Sequence, residues 1–264
     1  MPYETIVYDK REAIATVTLN RPQVYNALSV RMGEEFCAAL ADVAGDPAIR
    51  AVVLTGVGNA FCSGGDLKAA NEARARGEAV DYFRRLTDAF HRMIIDMRRL
   101  PKPILGSLNG PAGGGGFSLA LACDLRIASD RCRLKQGYTS AGLTPDGGWT
   151  AVAPHLIGLA KASELVYLDP VISAEEALRL GLVNSVVTAE ELPSETERLA
   201  RQLADGPTQS FGRVKALLNA SIYPQLEVQL ERERASITES AGTPDFEEGV
   251  QAFVGKRAAR FVGR

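Results

Sequence analysis

Two glycine-rich turns, one aspartate and one histidine are the groups in this 264-residue chain whose types and spacing could do chemistry. The first turn, Phe61-Cys62-Ser63-Gly64-Gly65-Asp66-Leu67, follows an apolar run at 51–55. The second, Asn109-Gly110-Pro111-Ala112 into Gly113-Gly114-Gly115-Gly116, follows another at 103–108. Glycine directly after a strand lets backbone approach a ligand without side-chain interference. Each turn can present one unencumbered N–H, and two N–H groups aimed at one point make an oxyanion hole. The second run also opens an apolar stretch, 117–122, that reads as a buried helix whose amino end adds a positive dipole. Taken singly, either run also fits a tight turn with close helix packing.

Asp146 stands between Pro145 and the pair Gly147-Gly148, ahead of Trp149. Locally it reads as a helix N-cap, its carboxylate accepting a first-turn N–H. The chain has two histidines, His91 and His155. On a helix over about 80–100, Phe83, Leu86, Phe90, Met93, Ile94 and Met97 form one stripe, with His91 about sixty degrees outside its edge. Locally that is a half-buried flank residue. His155, after Pro154, carries no functional reading. Cys37, Cys62, Cys123 and Cys132 show neither a pairing framework nor metal-ligand spacing, so they read as free thiols in a reducing compartment. Nothing adjacent would stabilise a Cys62 thiolate, which marks it as packing.

The elements that position these residues are mixed α/β. Alternation over 13–19 predicts a half-buried strand. Ser29 predicts a helix cap, with the helix ending near Gly45-Asp46-Pro47. Buried strands are expected at 51–55, 103–108, 125–128 and 183–187. Capping boxes stand at Ser173-Ala174-Glu175-Glu176 and Thr188-Ala189-Glu190-Glu191, with Gly181 closing the helix that starts at the first. After Gly206-Pro207 the strand signal stops and three helices follow, from near Thr208, Pro224 and Asp245. This divides the chain into a core over 1–204 and a helical tail over 205–264. The tail is too small and exposed to fold alone, so it must dock elsewhere, a neighbouring subunit included. Basic and acidic residues nearly cancel, 30 against 32. No field favours nucleic acid or an anionic membrane, and the sequence carries no leader pattern or membrane-length apolar run. A soluble, cytoplasmic protein is expected.

The motifs, taken in order, resemble the crotonase (enoyl-CoA hydratase/isomerase) superfamily over nearly the whole length. The matching residues are Asn26-Ala27-Leu28, 61–67, 109–116 with Cys123-Asp124, Gly142-Leu143 to Gly148, and Phe253-Val254-Gly255-Lys256-Arg257. The resemblance implies a stacked ββα spiral and an acyl-CoA thioester whose carbonyl oxygen lies between the N–H groups of Gly65 and Gly115. Ala27, Leu28, Ser63, Gly64, Asp66, Leu67, Gly114, Ser118 and Trp149 would line the ligand, although Asp66 on its own reads as ordering its turn and Trp149 as core. It further implies a tail that drives trimerisation, often to a dimer of trimers, with Phe253 and Lys256 closing over the CoA phosphate-ribose of an adjacent subunit. On their own, Lys256 and Arg257 read as a solvated helix face. No cofactor is permanently bound and no metal is expected; coenzyme A enters as part of the substrate.

Where the hydratases of that superfamily carry two glutamates, this chain has Ser118 and Tyr138. Neither titrates near neutrality when unperturbed, so water addition is disfavoured. Asp146 matches an acidic position found in two branches. In enoyl-CoA isomerases, ring-epoxide isomerases of phenylacetyl-CoA breakdown included, the carboxylate shuttles a proton. In aryl-CoA dehalogenases an aspartate here is the nucleophile, a histidine at the separation of His91 activates water, and an aromatic residue at Tyr138 faces the ring. Against the dehalogenases, Gly65 stands where they carry an aromatic side chain. One-base isomerisation by Asp146 is the leading expectation, with the dehalogenase or other hydrolytic route, a residual hydratase and a non-catalytic acyl-CoA-binding scaffold as alternatives. Arg74, Arg76, Arg84 and Arg85 lie in a polar region that reads as solvated surface or as a lid over the acyl end.

Overall fold

A computed structural model describes residues 3–264 and shows a mixed α/β architecture. Strands β1 (Ile6–Arg11) and β2 (Ile14–Leu19) form an antiparallel hairpin, and β2 buries alternate residues as its sequence alternation requires. Helix α1 (Val30–Gly45) starts at Ser29, whose hydroxyl accepts the Met32 N–H at 3.2 Å. Strand β3 (Ala51–Gly56), helices α2 (Leu67–Ala75) and α3 (Ala79–Arg99), strands β4 (Ile104–Leu108) and β5 (Ala112–Gly113), and helix α4 (Gly115–Ala122) follow. Next come β6 (Leu125–Ser129), β7 (Arg133–Lys135), the long helix α5 (Trp149–Leu168), β8 (Ile172–Ser173), α6 (Ala174–Arg179), β9 (Ser185–Val187) and α7 (Leu192–Asp205). The Ser173 hydroxyl caps α6, and Thr188 and Glu191 cap reciprocally ahead of α7.

The main sheet runs β1-β2-β3-β4-β6-β9 and is parallel from β2 onward. A second, small sheet runs β5-β7-β8. It is continued by two single bridges, Cys62 with Ala112 and Leu28 with Gly65. Together these pairings define a repeating turn: a main-sheet strand, a short second-layer segment, then a helix. The first turn passes from β2 by way of Leu28 into α1, and the second from β3 by way of the segment 62–65 into α2. The third passes from β4 by way of β5 into α4, and the fourth from β6 by way of β7 into α5. The two glycine segments therefore occupy equivalent places in consecutive turns, each just ahead of a helix.

That stacking leaves no room for side chains where the turns touch. A Cβ on Gly64 (φ +93°) would lie 2.6 Å from the Gly113 carbonyl oxygen and 3.0 Å from the Gly115 nitrogen. A Cβ on Gly116 would overlap the Cys62 carbonyl. Helix α4 is buried along its entire length, as a continuous apolar run inside a spiral must be.

Past residue 205 the chain forms α8 (Thr208–Ile222), α9 (Leu226–Ser240) and α10 (Pro244–Val254). Within this chain the tail packs on the core: α9 lies against α3 and α5, and α10 against α2 and the 3-10 turn Thr139–Ala141. One apolar cluster joins Phe83, Tyr138 and Leu143 of the core to Ile237, Phe246 and Val250 of the tail. Arg74 pairs with Glu247 of α10 at 2.5 Å, Arg84 with Asp81 and Arg76 with Glu78, which makes these arginines surface and tail-docking residues. No helix among the described residues is long and apolar enough to cross a membrane.

Because the Gly116 clash is with backbone, no side-chain rotation relieves it. Gly116→Ala is expected to lower the thermal midpoint by roughly 10 °C or more, at about 2–4 °C per kcal/mol for a chain of this size. An unchanged melting curve would show that the two turns can separate freely.

Candidate active site

The second-layer bridge between Leu28 and Gly65 uses the Leu28 N–H and the Gly64 carbonyl, 2.7 Å apart. In a parallel ladder the N–H of the bridged residue itself points the other way. The Gly65 amide is thus turned off the ladder, and the Gly115 amide is a first-turn N–H of α4, which intrahelical bonding cannot satisfy. The Gly64–Gly115 approach described above holds the two turns together at this point.

Phe90 and Tyr138 link Gly115 to Asp146. A Cβ on Gly115 would meet Phe90 Cε1 at 3.4 Å and the Tyr138 hydroxyl at 3.5 Å. The same Phe90 ring covers Gly147, and the Tyr138 hydroxyl donates to the Asp146 carbonyl at 3.2 Å. The Ser118 hydroxyl donates to that carbonyl as well, at 2.6 Å. Ser118 and Tyr138 therefore grip the main chain of Asp146. Burial above all, then the Asp146 charge, pushes the Tyr138 phenol well above its ordinary value, so it is a fixed donor at neutral pH.

Asp146 is not the helix N-cap that its local sequence suggests. Helix α5 begins behind Gly148, with no side-chain cap, and the Asp146 carboxylate is bonded to His91 Nε2 instead. Both residues are buried, with Asp146 3% and His91 2% exposed. His91 is thus no half-buried flank residue. Helix α3 is packed by α1, α2, α4, α8 and α9, so its buried surface is wider than the single stripe its sequence displays. Burial alone would depress the His91 imidazolium, but its bond to Asp146 and the charges of Asp146 and Glu233 outweigh that and raise its pKa.

Glu233 was not legible as a site residue. It projects from α9 and is 4% exposed. Ligand-type atoms of His91, Asp146 and Glu233 lie within 4.8 Å of one another. Such a trio could hold a cation, but both Glu233 oxygens are already engaged, by the N–H of Gly148 at 2.6 Å, the N–H of Thr150 at 3.0 Å and the Thr150 hydroxyl. Burial, and next the Asp146 charge, push the Glu233 carboxyl up to about 7. Its available sequence signal is the buried spacing Leu230, Glu233, Ile237, which places a glutamate on the apolar stripe of α9.

Other expected site residues have local structural roles. Asp66 caps α2 through the Ala69 N–H and pairs with Arg21 at 2.9 Å, which makes its side chain an organiser of its turn. Trp149 is buried, edge-on to Phe117. Ala27 and Leu28 are buried, with the Leu28 side chain against Gly115, Leu67 opens α2 partly buried, and the Ser63 hydroxyl donates to the Val24 carbonyl at 3.1 Å. Phe253 and Lys256 are exposed at the end of α10. Cys62 is fully buried, which pushes its thiol up to about 12. All four cysteines are free.

Comparison with known proteins agrees with this architecture. The family profile described as Enoyl-CoA hydratase/isomerase matches residues 9–264. The chain belongs to the enoyl-CoA hydratase/isomerase family. A probable enoyl-CoA hydratase of Rhodobacter capsulatus is 38% identical over 264 residues, covering 100% of both chains. The 1,2-epoxyphenylacetyl-CoA isomerase of Escherichia coli K12 is 34% identical over 261 residues, 99% of each. The crystal structure of an enoyl-CoA hydratase from Mycobacterium avium subsp. paratuberculosis K-10 superposes with a TM-score of 0.89 at 30% identity, covering 99% of this chain and 100% of that one. The spiral is the crotonase fold, and the chain is an acyl-CoA-processing member of this enzyme family.

The raised His91 pKa fixes the sign of a stability effect. A histidine whose folded value exceeds its unfolded one, about 6.5, stabilises fully below that pH and loses the contribution as pH rises through the folded value. The urea-unfolding difference between wild type and His91→Gln is therefore expected to be larger at about pH 6 than at about pH 8.5. A difference independent of pH would mean His91 carries no shifted proton.

Proposed function

We propose that this protein is an enoyl-CoA isomerase that moves a double bond by a one-base proton shuttle through Asp146. The observation that carries the reading is the reuse of Ser118 and Tyr138. At the positions where hydratases of the family carry glutamates, hydroxyls hold the main chain of a single buried aspartate beside Gly115. Glu233, the other carboxyl nearby, is tied into Gly148 and Thr150 and is not free to reach a substrate.

In the proposed reaction the Asp146 carboxylate takes a proton from C2 of a β,γ-unsaturated acyl-CoA. The C2–H electrons pass into the conjugated system, and the negative charge on the thioester oxygen is met by the N–H groups of Gly65 and Gly115. The Asp146 carboxylic acid then returns its proton to C4, leaving the α,β-isomer. His91 orients the carboxylate throughout. Coenzyme A is consumed by no step and leaves with the product. The reading includes a homotrimer, supported by Phe253, 59% exposed at the end of α10, and by the exposed Leu217 and Leu218 on α8.

A second reading is favoured by the His91–Asp146 contact itself. Asp146 could attack a ring carbon of an aryl-CoA and expel halide, with His91 then activating water to cleave the aryl ester. Gly65 argues against it, because a glycine offers no side chain against a ring.

Mixing the protein with a linear β,γ-unsaturated acyl-CoA should raise the ultraviolet absorbance of the conjugated thioester. Asp146→Asn should slow that rise by roughly 10²–10⁴-fold, the usual range for losing a general acid–base group. It should change acyl-CoA binding little, since the oxyanion donors are backbone. Halide release from a halobenzoyl-CoA, without any rise on the enoyl ester, would replace this reading with the second.

A further inference from the structure

The most unusual charge in the molecule outside the Asp146–His91 pair is Glu233. It sits on a helix beyond the spiral, and its neighbours on that helix behave as ordinary surface residues. Glu231 is solvent-facing and lies within range of Arg234, which itself turns to Asp88 of α3. Glu233 alone points inward, between Leu230 and Ile237. A buried carboxylate without a cationic partner is costly, and proteins retain one only where hydrogen bonds satisfy it. Here all its bonds go to the segment after Asp146, at the Gly148 N–H, the Thr150 N–H and the Thr150 hydroxyl.

Two consequences follow for the aspartate. Gly147 and Gly148 both have positive φ, +68° and +80°, so the link from Asp146 to α5 is a left-handed turn with little stiffness of its own. Glu233 pins the far end of that turn, while Ser118 and Tyr138 pin the near end through the Asp146 carbonyl. Above its raised value of about 7, Glu233 also places a second negative group within 4.8 Å of the His91–Asp146 pair, in a region that water does not screen.

We propose that Glu233, supplied by the C-terminal helical region, is a positioning residue of this site that locks the Asp146 turn and sets where the proton shared by His91 and Asp146 resides. The proposal deepens the isomerase reading, since it concerns the same aspartate. The groups facing His91 are Asp146 and Glu233, with Glu231 further out and the Tyr138 phenol beside Asp146.

The test uses full-length protein labelled with ¹⁵N-histidine. With only two histidines, exposed His155 and buried His91, the two sets of imidazole signals are separable. In Glu233→Gln the His91 midpoint should fall by about one pH unit, a tenfold loss of proton affinity. In Thr150→Val, which removes one hydroxyl partner but leaves the charge, it should stay within a few tenths of wild type. Turnover of β,γ-enoyl-CoA by Glu233→Gln should drop about tenfold in kcat with KM unchanged. An unmoved His91 midpoint in folded Glu233→Gln overturns the proposal. If that variant does not fold, the wild-type curve decides: two-phase titration of the His91 signals supports coupling to Glu233, and a single phase overturns it. Should wild type fail to isomerise any enoyl ester, the isomerase reading falls while the histidine titration still decides the role of Glu233.

Discussion

The structure depends on one close approach, between the backbone of 62–65 and that of 112–116. Parallel stacking of consecutive spiral turns brings those segments into register, and the absence of side chains at Gly64 and Gly116 lets them touch. Each turn is followed at once by a helix, so each delivers an amide that has no carbonyl waiting for it. In the proposed reaction these two amides form the oxyanion site, which then follows from the repeat, needs no special loop and uses main-chain donors already fixed by the sheet.

Around that fixed point, Ser118 and Tyr138, which the family resemblance sets where hydratases carry carboxylates, present hydroxyls that face the carbonyl of Asp146. The carboxylate of Asp146 is left to a single strong partner, His91, on helix α3. The result is a buried carboxyl group held at its main chain from one side, at its side chain from another, and at the following turn by the C-terminal region. Such multiple fixing suits the proposed reaction, in which one group must first accept and then return the same proton within a short distance.

Much of this was legible in the residues. Alternation in β2, the Ser29 cap, the strands at 51–56 and 104–108, and the glycines ahead of α2 and α4 each have a local physical cause, and the fold honours them. The position of Asp146 was readable only through resemblance, since its local sequence points to a cap it does not form. His91 falls outside the stripe because a helical wheel assumes one buried face, whereas α3 is enclosed by five other helices. Glu233 was missed because the run Glu231-Arg232-Glu233-Arg234 reads as solvated charge. Its burial arises from the tertiary packing of α9 on α3 and α5, to which the spacing Leu230, Glu233, Ile237 is the one local pointer.

In the proposed reaction one carboxyl group carries the proton from C2 to C4, and isotope transfer tests that step without intermediaries. The measurement is mass-spectrometric analysis of product formed in ordinary water from a β,γ-unsaturated acyl-CoA deuterated at C2. Transfer by a single buried carboxyl predicts a product that retains deuterium at C4. Product carrying only solvent hydrogen at C4, at every extent of reaction, would mean that a second group or bulk water delivers that proton, and would contradict the one-carboxyl mechanism.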